Sequence, residues 1–126
     1  MATTQIDAIP TGLYVAELVE SQGRPDENGR PWLDLVFEIT EGPYAGQRLR
    51  KLLCPTHPSF LARTFFRAKL AELCRAIGVA PPKNCADPTA YATMHHKPVV
   101  IDVRRDECPA TGITYNRIEG YMEKQH

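Results

Sequence analysis

The chain has 126 residues, with 15 lysines and arginines against 15 aspartates and glutamates, 43% apolar residues and 24% charged ones. This length and mixture suit one folded domain, residues 1–126 with short loose ends at about 1–8 and 123–126, and exclude a fibre, a disordered tail or a second domain. No apolar run approaches the roughly 18–20 residues of a membrane helix, and the opening Met-Ala-Thr-Thr-Gln-Ile-Asp lacks the basic and apolar stretches of an export signal, so a cytoplasmic protein is expected.

The charge balance is uneven along the chain. Residues 1–47 carry a net −6, residues 48–75 a net +6, and residues 76–126 zero. The middle block, Arg48, Arg50, Lys51, Arg63, Arg67, Lys69 and Arg75 opposed only by Glu72, is a candidate electropositive surface unless acidic strands fold back and cancel it. Four cysteines, Cys54, Cys74, Cys85 and Cys108, form no C-x-x-C pair and are expected to stay reduced. Cys54 and His57 have a ligand-like spacing, and His95 and His96 could add donors. No second tight pair completes a zinc site, so no metal or other cofactor is expected.

In chain order, residues 12–20 (GLYVAELVE) read as a first strand, and residues 21–31 as a polar loop or long hairpin tip turning at Asn28-Gly29. Residues 32–40 alternate, with Leu33, Leu35, Phe37 and Ile39 facing a core and Trp32, Asp34, Val36, Glu38 and Thr40 facing out. Residues 41–46 (EGPYAG) turn the chain into a third strand at 47–54. A hairpin symmetric about Tyr44 pairs Ile39 with Leu49, Glu38 with Arg50 and Thr40 with Arg48, and puts Lys51 inside opposite Phe37 unless it reaches past a barrel end or a bulge intervenes. Residues 58–77 form the long helix, with Pro58 in its first turn and Gly78 as C-terminal cap. Its inner stripe is Ala62, Phe66, Leu70, Leu73 and Ile77, and Leu61 and Phe65 fall outside that stripe as a candidate subunit contact. A linker with a short helical turn near residues 87–91 leads to strands at 98–105 and 113–122.

Three strands, one long helix and two strands give the element order of the OB-fold, a five-stranded Greek-key barrel whose helix lies between strands three and four and plugs one end, with an open α+β sheet as an alternative of the same count. In such a barrel the ligand surface is built from strands two and three and two flanking loops. Those positions here hold Trp32, Tyr44, Arg48, Arg50, Lys51, Arg104, Arg105, Tyr115 and Arg117. Cations that follow a phosphate backbone, interleaved with rings on which bases stack, are what single-stranded nucleic acid requires.

The strings IPTGLYVAEL, LDLVFEITEGPYAGQRLRKLL, AKLAELCRAIGV, HKPVVIDVRRDE and YNRIEGYM, in this order and spacing, resemble a family of small phage and prophage proteins, domain-of-unknown-function family 669. The match runs from Ile9 to Met122 and is most specific at FEITEGPYAGQRL and NRIEGY. The resemblance implies a single-stranded DNA-binding protein of OB type that works in phage replication or recombination. The expectation is a non-enzymatic DNA-coating protein, dimeric or larger through Leu61 and Phe65. The alternative is an adaptor that binds a phage recombinase or replication protein. No phosphate-binding glycine-rich loop, paired metal motif or catalytic triad spacing supports an enzyme.

Overall fold

A computed structural model describes residues 8–125. Residues 1–7 and 126, which include most of the N-terminal loose end expected from sequence, lie outside the described residues.

Five strands form one antiparallel sheet: β1 (Gly12–Pro25), β2 (Pro31–Ile39), β3 (Arg48–Leu53), β4 (Pro98–Glu107) and β5 (Thr114–Met122). Between β3 and β4 lie the helix α1 (Phe60–Ile77) and a 3-10 helix (Pro88–Met94). β1 is much longer than its sequence signal, because polar residues 21–25 continue to pair with β2 and confine the turn to Asp26–Arg30. The Asp26 carboxylate organises this turn by accepting the Asn28 and Arg30 amides and the Trp32 indole N–H, and Gly29 supplies the positive φ of 76°.

The spatial order is β3-β2-β1-β4-β5, and this corrects the barrel expectation. The sheet is open, with β3 and β5 as its two edges, and a second helical element separates α1 from β4. The physical reason lies on the outer edge of β5. There the Lys51 ammonium donates to Ile118 O at 3.0 Å, Lys69 donates to Glu119 O at 2.5 Å, and Glu72 accepts the Tyr121 amide at 2.8 Å. Side chains therefore take the backbone groups that a closing strand would have used, and they also blunt the edge against pairing with another chain.

The β2–β3 register also differs from the symmetric hairpin. Glu38 lies opposite Arg48, Phe37 opposite Leu49, Val36 opposite Arg50 and Leu35 opposite Lys51. The offset preserves the alternation, so Arg48 and Arg50 still point outward and Lys51 still starts on the inner side. Lys51 avoids full burial by running its stem along the sheet to the β5 edge, and this desolvation lowers its pKa.

Leu33, Leu35, Phe37 and Ile39 of β2 are buried as their alternation requires, with Leu18 of β1, Val99, Ile101 and Val103 of β4, and Ile118 of β5. Each contributes about 1.5–3 kcal/mol through burial. The helix begins at Ser59, whose Oγ accepts the Ala62 amide, and ends at Gly78 with φ 88°. Only its later part is buried, through Leu70, Leu73, Cys74 and Ala76 against β4 and β5. Its first two turns overhang the sheet, with Leu61 79% and Phe60 68% exposed. Beside α1, in the same core, the 3-10 helix buries Tyr91 and Met94, and the chain then crosses β1 at its bulge, where the His96 amide donates to Leu18 O.

Candidate nucleic-acid interface

Outward-facing arginines of the sheet are placed among carboxylates. Arg48 lies 2.8 Å from Glu20 and 3.0 Å from Glu38. Arg24 and Arg50 approach the two oxygens of Asp34, each at 2.8 Å, from the strands on either side of β2. Asp34 is only 3% exposed, and the Arg50 contact is an ion pair whose oblique N–H leaves Oδ1 without a hydrogen bond. Arg104 pairs with Asp102 at 3.2 Å, and Arg117 with Asp106 and Glu119 at 2.6 Å each, bonds that raise the Arg117 pKa. Among the sheet arginines named from sequence, Arg105 alone has no acidic partner among the described residues; its backbone amide is held by Thr11.

The aromatic candidates separate. Tyr115 is exposed near the β4–β5 turn. Tyr44 packs edge-on against Tyr14, with centroids 5.9 Å apart, and leans on the core. Trp32 is partly buried, its indole N–H held by Asp26 at 3.0 Å and its ring edge-on to Phe66 at 5.5 Å. The hydrogen bond from Trp32 is also the largest cause that lowers the Asp26 pKa, followed by the Arg30 amide. Trp32 thus links the β1–β2 hairpin to the helix.

The overhanging half of α1 differs in its electrostatics. Arg63 donates to His57 O at 3.0 Å and Arg67 to Pro55 O at 2.8 Å. A carbonyl orients a guanidinium and leaves its full charge in place, whereas a carboxylate cancels it. Arg63 also lies 5.7 Å from the Phe60 ring centroid, and Lys69 5.7 Å from that of Phe65. Rings continue from Phe65 to Phe66 at 5.8 Å and on to Trp32 and His57. Lys51 and Lys69 both reach the adjoining β5 edge, and among the described residues Lys69 has an ion pair with Glu72 alone, at 3.8 Å.

Leu61 and Phe65, expected as a subunit contact, stand in this same half. From sequence Arg63 and Arg67 stand only in the electropositive block, Phe66 only in the inner stripe of the helix, and Phe60 in neither. The available signal was the spacing Phe60/Arg63 and Phe65/Lys69, three and four residues apart on one helix, which sets a cation against a ring. Cys54 donates its thiol to Pro31 O, and His57 Nδ1 accepts the Ser59 amide. No group of three His, Cys, Asp or Glu side chains able to hold a metal occurs among the described residues, and no described helix is long and apolar enough to cross a membrane.

Over residues 2–126 the chain matches the model of a family described as a protein of unknown function, DUF669. A search of curated proteins finds no match.

Proposed function

The chain belongs to the DUF669 family, and we propose that it is a non-enzymatic protein that coats single-stranded DNA, with little sequence preference, in the cytoplasm of a bacterial host during phage replication or recombination. The observation that carries this reading is the first half of α1, where Arg63 and Arg67 are oriented by carbonyls beside the exposed rings of Phe60 and Phe65. Phosphates follow Arg63, Arg67, Lys69 and Lys51, and bases stack on Phe60 and Phe65, with Phe66 and behind it Trp32 supporting the Phe65 ring. Arg48, Arg50, Arg104 and Arg117, which already hold carboxylates, are the lesser contributors, because a phosphate must compete with the acid already in place.

Fluorescence anisotropy of a labelled oligo-dT across a salt series tests this. Binding should weaken steeply with salt, with a slope that falls by about 0.7 for each phosphate contact removed. A folded protein that gives no binding at low salt would overturn the reading.

A further inference from the structure

A second apolar area lies on the sheet face turned away from α1. Val99, Ile101 and Tyr121 point into the core, so the alternate residues Val100 and Met122 point outward. Pairing sets Val15 opposite Val100 and Val100 opposite Met122, and Leu13 lies next along β1 on the same face. These four side chains line a groove of about 550 Å³. Leu13 is 61% exposed, although its strand is paired there with β4, opposite Asp102.

The rim identifies the occupant. Glu41 and Lys124 form an ion pair of 2.8 Å at the edge of the groove, and Glu123 stands beside them. A polyanion or an anionic membrane would meet Glu41 and Glu123 at close range. A surface with an apolar floor and both signs on its rim is instead complementary to itself: a two-fold axis brings Lys124 of one copy beside Glu41 of the other and closes apolar floor on apolar floor. We propose that this groove is the docking surface for a second copy of the chain, giving a two-fold dimer that leaves both α1 overhangs free. The inference does not depend on the DNA-binding reading.

Sedimentation equilibrium tests it. The unaltered chain should show a concentration-dependent dimer. Leu13→Glu should shift it to monomer with its urea midpoint nearly unchanged, since that side chain is already in water. Glu41→Lys and Lys124→Glu should each weaken the dimer roughly tenfold, because the axis repeats every charge change. Mixing those two variants should restore association, because the axis then sets the two cations at positions 41 and 124 of one copy against the two carboxylates at those positions of the other. That result separates a contact between copies from the ion pair within one chain, and it holds whatever Leu13→Glu does to folding. A monomer at every concentration, a mixture no tighter than its components, or a dimer indifferent to Leu13→Glu and broken by Leu61→Glu would each overturn the proposal.

Discussion

The α1 overhang and the outer groove are both apolar areas open to water, yet they differ in what surrounds them. Around Phe60, Leu61 and Phe65 the nearby cations are Arg63, Arg67 and Lys69, each fixed by a backbone carbonyl. Around Leu13, Val100 and Met122 the rim is Glu41, Glu123 and Lys124, with both signs present and partly paired. Apolar exposure by itself says that something is to be covered. The sign of the rim selects what covers it: a mainly cationic rim suits a chain of phosphates, and a mixed rim suits a copy of itself.

The largest effect that could break this contrast is on DNA affinity. Replacing Phe60 and Phe65 together with alanine should cost about 1–3 kcal/mol for each base that loses its stacking partner, read by anisotropy on an oligonucleotide short enough for one copy. Leu13→Glu in the same assay should leave affinity unchanged, and a loss there would merge the two regions into one site. Smaller is the effect of Gly120→Ala. A Cβ at Gly120 would stand 2.9 Å from Glu72 Oε1, which accepts the Tyr121 amide. Pushing Glu72 aside should cost about 1–3 kcal/mol in urea unfolding, the penalty of an unsatisfied amide, and loosen the β5 edge that carries Lys51 and Lys69.

Arg48→Gln should change stability by only about 0–1 kcal/mol, its carboxylate partners being largely in water, whereas Arg50→Gln should cost more, because buried Asp34 then keeps only Arg24; the two together should reduce DNA affinity far less than Arg63→Gln with Arg67→Gln. Equal losses in the two double variants would return the sheet face to the binding surface. The smallest effect concerns pH. The Asp26 pKa is lowered in the fold, so its stabilisation is complete above the unfolded carboxylate value and disappears as pH falls through the folded one. Asp26→Asn should therefore flatten the acid limb of the stability profile below about pH 4, measured by urea unfolding from pH 7 downward. An unaltered acid limb would remove Asp26 from the hairpin that supports Trp32.

Much of the secondary structure was legible because periodicity is local. The alternation of Leu33, Leu35, Phe37 and Ile39 marks an inner face whatever lies above it, and Gly78 ends the helix through bonds to near neighbours, whereas its start lies at Ser59, past the Pro58 that sequence placed in the first turn. The Asn28-Gly29 turn was legible for the same reason. The length of β1 was not, because Gln22 and Arg24 have no intrinsic strand signal and are held by Asp34 and Trp32 across the sheet. Sheet closure was hidden as well. It turned on whether Lys51, Lys69 and Glu72, far apart in sequence from residues 118–121, would reach the β5 edge first.

The charge pattern divides in the same way. By itself the sequence determined that the positive excess lies in residues 48–75 and that a long helix follows the third strand, since composition and periodicity belong to neighbouring residues. Only the tertiary structure decided which of those cations keep their charge. Sheet pairing places Glu20, Asp34 and Glu38 within reach of Arg48 and Arg50, while the overhang of α1 gives Arg63 and Arg67 only carbonyls to hold. Electrostatic cancellation depends on distance through space, and residues 10 to 28 positions apart in the chain acquire that distance only when the strands pair.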